Sequence, residues 1–262
     1  MIRLIASDMD GTLLSDDKKL DPEIFPLINE LTARGIVFAP ASGRQVCSLA
    51  RFFTPVLDDI YLIGENGAII TYGEKEIFAS VMDAGVVRSL TAAILSMKEH
   101  TVLLCGKDQS YTDDPATVRL LGNDRFRYNV EYREDLLSVT EDIIKVSVVD
   151  GGSVLENSFP ILYPKFKDAL CVTVSGFNCM DFMNRGVSKG AALRKIKEYL
   201  RVGYDETLVF GDNFNDIEMF GEGYFSYAME NSAEKVREKA RFTAGNNNTN
   251  WIIEEIKRLC LK

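Results

Sequence analysis

The chain has 262 residues, of which 46% are hydrophobic and 26% are charged, and it is long enough for one large or two smaller globular domains. The formal net charge of −9 argues against a broad nucleic-acid surface. Since no apolar run approaches the roughly 20 residues that span a bilayer, and MIRLIASDMD is charged too early for a signal peptide, we expect a cytoplasmic protein without nucleic-acid or membrane partners.

The first third of the chain alternates between strand-like and helix-like segments. IRLIAS predicts a buried strand, and DPEIFPLINELTARG predicts a helix with Asp21 and Pro22 in cap positions and Gly35 at its end. IVFAPAS, GRQVCSLARFF and IYLIGENGAIITY then predict a strand, a helix and a strand–turn–strand unit. This order is typical of an α/β fold, with a parallel sheet covered by helices.

The last third returns to this alternation, whereas the middle differs. SKGAALRKIKEYL predicts an amphipathic helix, and ETLVFGDN predicts a strand that ends in an acid. Between them, RFRYNVEY and CVTVSGFNCMDFM alternate in a way that suits an antiparallel sheet. We therefore expect a core domain formed by residues 1–82 and 185–262, with a second, α+β domain inserted at residues 83–184.

Several enzyme classes lack their motifs in this sequence. The only histidine is His100, which argues against a Ser-His-Asp hydrolase. Neither a Walker-type loop nor G-x-G-x-x-G is present. The five cysteines form no C-x-x-C pair, and we expect buried, reduced thiols rather than a zinc site or disulfides.

Two of the predicted strands run into acids, and we expect them to deliver carboxylates to the same edge of the sheet. Asp8 and Asp10 end the first apolar run, and Asp212 ends the strand in VFGDNFNDIEM, with Asn215 and Asp216 just after it. Taken alone, D-x-D-G fits an Asx turn as well as it fits a functional site. However, ligands of open α/β sheets bind beyond the carboxyl ends of the strands, and clustered carboxylates repel unless a cation or a proton intervenes. A hard divalent cation, Mg²⁺, is the natural partner.

Two further segments favour an anion site. Ser42 ends the second strand, and its hydroxyl together with the Gly43 amide, expected at a helix start, could bind an anion, although a plain N-cap serine also explains the pattern. Lys189 lies in the predicted first turn of a helix, where a positive charge opposes the helix dipole. This placement favours a functional role for Lys189 more than for an average surface lysine.

The ordered motifs DMDGTLL, ASGR, GVSKG and GDNFND, with ENGA and YAMENSAEKVREKA, resemble those of the haloacid dehalogenase-like phosphohydrolases, specifically the Cof-type subgroup. The resemblance covers the whole chain. It implies a Rossmann-like, doubly wound core with a large cap inserted after the second motif. It also implies a phosphatase that forms an aspartyl-phosphate.

The resemblance implies a role for each motif residue. Asp8 is implied as the nucleophile and Asp10 as the general acid and base. The Mg²⁺ ligands are implied to be Asp8, the Asp10 carbonyl and Asp212, with Asp216 supporting the metal shell or Lys189. The groups implied to bind the phosphoryl oxygens are Ser42, Lys189, the amides of Met9 and Gly43, and Asn215, which contacts either phosphate or a metal-bound water.

The substrate is expected to be a small phosphorylated metabolite, such as a sugar phosphate. A phosphomutase or a dedicated sugar-phosphate phosphatase of the same superfamily is an alternative. A non-catalytic phospho-acceptor switch is another, although such a switch has no need for Asp10. Arg125, Arg127 and Asn129 are interpreted as a solvated strand face rather than ligands, and the oligomeric state cannot be read from the sequence.

Overall fold

The computed structural model describes residues 1–97, 99–123, 126–175 and 178–261. The chain divides into two compact units. The first contains Met1–Arg44, Leu49–Phe78 and Ser188–Lys262, and the second contains Gln45–Ser48 and Ala79–Val187. The second unit is thus inserted in the chain of the first, while the boundaries expected at residues 82/83 and 184/185 remain a proposal.

Strands and α-helices alternate over most of the chain. The strands are β1 (Leu4–Asp8), β2 (Val37–Ala41), β3 (Tyr61–Gly64), β4 (Ile69–Tyr72), β5 (Lys75–Ala79), β6 (His100–Gly106), β7 (Ser110–Thr112), β8 (Val130–Tyr132), β9 (Ile143–Asp150), β10 (Leu170–Ser175), β11 (Cys179–Asn184), β12 (Thr207–Gly211), β13 (Phe225–Ala228) and β14 (Phe242–Thr243). The α-helices are α1 (Ile24–Ala33), α2 (Val46–Phe52), α3 (Ala84–Leu95), α4 (Pro115–Leu121), α5 (Ser158–Phe166), α6 (Lys189–Leu200), α7 (Ile217–Phe220), α8 (Glu234–Arg237) and α9 (Trp251–Cys260).

The first unit is built on a mostly parallel sheet. Its strand order is β14-β13-β12-β1-β2-β3-β4-β5. The neighbours from β14 to β3 run parallel, and β4 returns antiparallel to β3. This is the predicted α/β, Rossmann-like core, in which the central strand β1 is buried along its whole length. Burial on both faces is why that strand reads as an unbroken apolar run in the sequence.

Helix α6 is amphipathic, as its sequence predicts. Ala192, Leu193 and Ile196 are buried in the core of the first unit, and Leu200 packs against that core while partly exposed. Burying a side chain such as Leu193 or Ile196 contributes roughly 1.5–3 kcal/mol of hydrophobic stabilisation. The same packing fixes the amino-terminal end of the helix, where Lys189 is the first residue.

The second unit has an α+β architecture. Its strands follow the order β10-β11-β9-β6-β7-β8. The pairs along β10, β11, β9, β6 and β7 are antiparallel, as the alternating sequence predicts, but β7 and β8 are parallel. Its core joins helix residues such as Leu90 and Leu162 to strand residues such as Val148 and Phe182.

The predicted strand over RFRYNVEY is mostly wrong. Among its described residues, 126–132, only Val130–Tyr132 form a strand. Arg127 has a φ of 55°, and its amide donates to the Asn123 carbonyl, so this residue belongs to a turn before the strand. Asn129 also precedes β8, and Arg125 lies outside the described residues. A solvated strand face is therefore not formed by Arg127 and Asn129.

Asp150 forms a buried polar centre in the second unit. Its Oδ1 accepts from the Gly152 amide at 2.8 Å and from Asn157 at 3.0 Å, and its Oδ2 accepts from Ser158 at 2.5 Å and lies 3.2 Å from His100 Nε2. Burial raises the pKa of Asp150, but these hydrogen bonds and the nearby imidazole outweigh that effect. Together they lower the pKa from an ordinary 3.8 to about 2. The charged carboxylate is thus the form that the fold stabilises.

Asp150→Asn is expected to lower the free energy of unfolding at pH 7 by about 2 kcal/mol, because a folded-state pKa below the unfolded value stabilises the folded chain above that unfolded value. This contribution of wild-type Asp150 is lost as the pH falls from about 4 towards 2. Urea denaturation of both proteins at pH 7 and at pH 3 measures it. The exposed Asp168→Asn is the control, and a wild-type advantage that stays constant with pH would contradict the assignment.

Two sequence expectations concern thiols and membranes. The five cysteines, all within the described ranges, form no disulfide, but only Cys105 and Cys260 are buried. Among the residues that the structure describes, no helix has the length and apolar character required to cross a membrane.

Candidate active site

The carboxyl ends of three neighbouring strands place the first site residues. Strand β1 ends at Asp8, β12 ends one residue before Asp212, and β2 ends one residue before Ser42. Because β1 lies between β12 and β2 and runs parallel to both, the three residues lie at the same edge of the sheet. The expectation that two strands deliver carboxylates to one edge is therefore met by Asp8 and Asp212.

Three carboxylates converge there. Asp8, Asp212 and Asp216 each offer one oxygen atom, and these atoms lie within 4.8 Å of one another. Asp8 and Asp216 are buried, with 5% and 0% of their surface exposed. Lys189, also buried, places Nζ 2.5 Å from Asp8 Oδ1 and 2.7 Å from Asp216 Oδ1. One ammonium therefore faces three carboxylates.

This imbalance changes the proton affinities of the cluster. Burial raises the pKa of Asp8 well above its ordinary value, and the charge of Asp216 raises it further, while Lys189 opposes both. Burial also raises the pKa of Asp212, although a hydrogen bond from Thr12 opposes the rise. The pKa of Lys189 is raised by Asp216 and Asp8 despite its burial. The positive charge of Lys189 thus does not balance the negative charge of the three carboxylates.

The surrounding donors and acceptors fit a hard divalent cation. The acids supply only oxygen atoms, which are the ligands that Mg²⁺ prefers. Asn215 Oδ1 is buried and finds no hydrogen-bond donor among the described residues. A water molecule held by a cation is a donor of the kind this oxygen lacks. The residues present therefore fit the expected Mg²⁺.

Asp216 has a different set of contacts from the other two acids. Its Oδ1 accepts from Lys189, and its Oδ2 accepts from the amides of Asp212 and Asn213, both at 3.0 Å. Since both oxygens already accept hydrogen bonds, Asp216 holds Lys189 and the loop that carries Asp212. This geometry suits the supporting role that the resemblance implies.

Asp10 lies in a cationic environment. Arg44 contacts it through Nε at 2.6 Å and Nη2 at 2.7 Å, and Lys18 Nζ lies 2.9 Å from Oδ1. Burial raises the pKa of Asp10, but Arg44 and Lys18 together lower it to about 2. In this geometry Asp10 is an ionised carboxylate near neutral pH.

The prediction that a helix begins at Gly43 is wrong. Helix α2 begins only at Val46, so Gly43 lies in the preceding loop. The reason is that the carbonyls of Ser42 and Arg44 accept from the amides of Asn66 and Glu65, each at 2.9 Å, instead of forming helical bonds.

Two other expected site residues are buried. Ser42 is buried and its Oγ accepts from the Arg44 amide at 3.2 Å, and Met9 is buried beside Asp8.

Sequence reasoning missed three contributors, namely Thr12, Arg44 and Asn66. Thr12 Oγ1 donates to Asp212 Oδ1 at 2.7 Å, and Asn66 Oδ1 accepts from Asn215 Nδ2 at 3.1 Å. Each of the three stands inside a recognisable segment (DGT, ASGR and ENGA), so proximity to a motif was the available signal. Gly11 also serves the site, because at its φ of 91° a Cβ would lie 2.5 Å from Asp212 Oδ2.

Comparisons with known proteins give one family model and several similar sequences and structures. Residues 5–256 match the family model described as haloacid dehalogenase-like hydrolase. The 5-amino-6-(5-phospho-D-ribitylamino)uracil phosphatase YbjI of Escherichia coli is 29% identical, covering 98% of this chain and 96% of that protein. The HMP-PP phosphatase of Cronobacter sakazakii is 27% identical over 84% of this chain and 80% of its own. A crystal structure from Eubacterium rectale superimposes with a TM-score of 0.89 at 27% identity, covering 98% of this chain and 99% of that one.

Proposed function

The chain belongs to the haloacid dehalogenase-like hydrolases, and from this premise we propose that it is a Mg²⁺-dependent phosphatase that hydrolyses small phosphorylated metabolites through an aspartyl-phosphate. The observation that carries the proposal is the convergence of Asp8, Lys189 and Asp212 at one edge of the sheet. The buried carboxylate supplies a nucleophile, and the buried ammonium beside it supplies a positive charge for the phosphoryl group.

In the first step, a carboxylate oxygen of Asp8 attacks phosphorus, and the bond from phosphorus to the leaving oxygen breaks. Asp10 donates a proton to that leaving alkoxide. Donation of this proton requires a neutral Asp10, whereas the contacts with Arg44 and Lys18 favour the charged form. We therefore infer that Asp10 separates from these two cations before it acts as the acid.

In the second step, water attacks the phosphorus of the aspartyl-phosphate and releases inorganic phosphate, which regenerates the Asp8 carboxylate. Asp10, ionised after the first step, takes a proton from that water. The second step thus needs the charge state that the observed ion pairs favour.

Charge on the transferring group is stabilised by cations and hydrogen-bond donors. Lys189 is already held 2.5 Å from the Asp8 carboxylate, where the phosphoryl group is transferred. The Ser42 hydroxyl and the amides of Met9 and Gly43 are the proposed donors to phosphoryl oxygens. Fixed donors of this kind stabilise a loose, charged transition state through their position.

The proposed Mg²⁺ ligands are the carboxylates of Asp8 and Asp212 and the backbone carbonyl of Asp10. When bound, the ion screens the repulsion between Asp8 and a phosphate dianion. Asn215 presents a buried acceptor oxygen for a metal-bound water, and Asp216 holds Lys189 in place.

The names of two relatives suggest substrates for a first panel. One relative is named as a phosphatase of a phosphoribitylamino-uracil and another as an HMP-PP phosphatase. We propose a small phosphorylated metabolite, with these two compounds and sugar phosphates tested first.

Phosphate release from p-nitrophenyl phosphate and this panel, with Mg²⁺ and with EDTA, tests the proposed function. We expect multiple turnovers with Mg²⁺ and almost none with EDTA. Conversion of a sugar phosphate into its isomer, without phosphate release, would favour the phosphomutase alternative. A long-lived phosphoryl adduct without turnover would favour the phospho-acceptor switch.

A further inference from the structure

The turn between β3 and β4 has an unusual backbone. Glu65, Asn66 and Gly67 form a short 3₁₀ helix in which φ is 50°, 55° and 96°. Residues other than glycine rarely adopt such left-handed backbone conformations, although asparagine does so more readily than most. Glu65 and Asn66 are both buried, with 1% and 3% of their surface exposed. Surrounding contacts must therefore stabilise this turn.

Backbone contacts join this turn to two of the motif segments, ASGR and GVSKG. The Asn66 amide donates to the Ser42 carbonyl at 2.9 Å. A Cβ added to Gly67 would lie 2.2 Å from the Ser188 carbonyl oxygen and 3.0 Å from the Lys189 nitrogen. The turn thus supports the loop of Ser42 and lies directly against the start of α6, which carries Lys189.

The Asn66 side chain reaches a third motif segment, GDNFND. Its Oδ1 accepts from Asn215 Nδ2 at 3.1 Å. Its amide group also lies against Gly43, because a Cβ added to that glycine would come within 3.1 Å of Asn66 Oδ1. By accepting from Nδ2, Asn66 fixes which way the Asn215 amide faces. The other end of that amide is the buried Oδ1, for which the described residues supply no donor.

We propose that Asn66 is a positioning residue of the phosphoryl site, which orients the Asn215 amide and fixes the loop of Ser42 and Gly43. The proposal rests on the proposed function, since it assigns Asn66 to the site that binds the phosphoryl group. Asn66 acts through its neighbours. Its loss should therefore weaken phosphate binding and turnover without unfolding the chain.

Asn66→Gly is the informative variant, because glycine accepts the left-handed backbone while the side-chain contacts disappear. We expect it to lower kcat/KM for p-nitrophenyl phosphate by about 10- to 100-fold, in the range typical of residues that orient ligands. We also expect binding of inorganic phosphate, measured by calorimetry with Mg²⁺ present, to weaken by about tenfold.

Arg201→Gly is the matched control, since Arg201 also has a left-handed backbone, with a φ of 53°, at the far end of α6. It should leave both quantities within about twofold, given that changes remote from a site usually have small effects. Thermal unfolding of both variants separates a fold defect from a site defect.

A double-mutant cycle with Asn215→Ala asks whether Asn66 acts through Asn215. We expect the double variant Asn66→Gly, Asn215→Ala to be nearly as active as the weaker of the two single variants, because coupled residues are not additive. Single-variant effects that multiply would overturn the proposal, as would wild-type phosphate binding by Asn66→Gly. If wild-type protein releases no phosphate from any compound, the proposed function fails, and the calorimetric comparison still decides the role of Asn66.

Discussion

Asp8→Asn is expected to lower the rate of phosphate release by at least about 1,000-fold, because an amide cannot replace the carboxylate as a nucleophile. The fold should survive the change. The carboxylate is buried and its pKa is raised, so the folded chain gains little from its charge. Steady-state release of phosphate from p-nitrophenyl phosphate at saturating Mg²⁺ measures the effect, and circular dichroism verifies the fold.

The exposed Asp17→Asn is the matched control, since it makes the same chemical change in the same segment of the chain. It should retain the wild-type rate. A folded Asp8→Asn protein that keeps more than about a tenth of the activity would exclude Asp8 as the nucleophile, because loss of a nucleophile costs far more than this.

Lys189→Met is expected to reduce both stability and activity. The change removes the ammonium between Asp8 and Asp216 and leaves two buried carboxylates without it. Breaking a buried ion pair in this way costs about 3–5 kcal/mol of unfolding free energy. Phosphate release should fall by at least about 100-fold, as expected when a fixed charge is lost from the site of transfer.

Urea denaturation and phosphate release of Lys189→Met measure the two effects. The exposed Lys239→Met is the control and should match wild type in both. We expect Mg²⁺ to restore part of the lost stability, because a cation bound by the acids supplies the missing positive charge. Wild-type stability in the absence of Mg²⁺ would contradict the view that Lys189 compensates the buried carboxylates.

The sequence predicted the parts of the site that depend on local patterns. Asp8 and Asp212 each follow an apolar run, and a buried parallel strand reads as such a run because both of its faces are covered. Lys189 is predicted at the start of α6 because the apolar period of that helix is a local feature, and the structure confirms that Lys189 is its first residue.

Contacts between distant segments could not be predicted in this way. Arg44 pairs with Asp10 across 34 residues, and Asn66 contacts Asn215 across 149 residues. Nothing in the local pattern of either segment identifies the partner. The late start of α2 has the same origin, since the Ser42 and Arg44 carbonyls accept from a turn that comes more than twenty residues later.

Trapping a phosphoryl group on Asp8 during turnover tests the proposed mechanism most directly. Protein mixed with Mg²⁺ and p-nitrophenyl phosphate is quenched in acid and treated with borohydride, which reduces an acyl phosphate to an alcohol. Peptide mass spectrometry then locates the modified residue. We predict reduction of Asp8 in wild-type protein and none when EDTA or no substrate is present. Steady turnover without modification of Asp8, or with modification of another residue, would contradict an aspartyl-phosphate at Asp8.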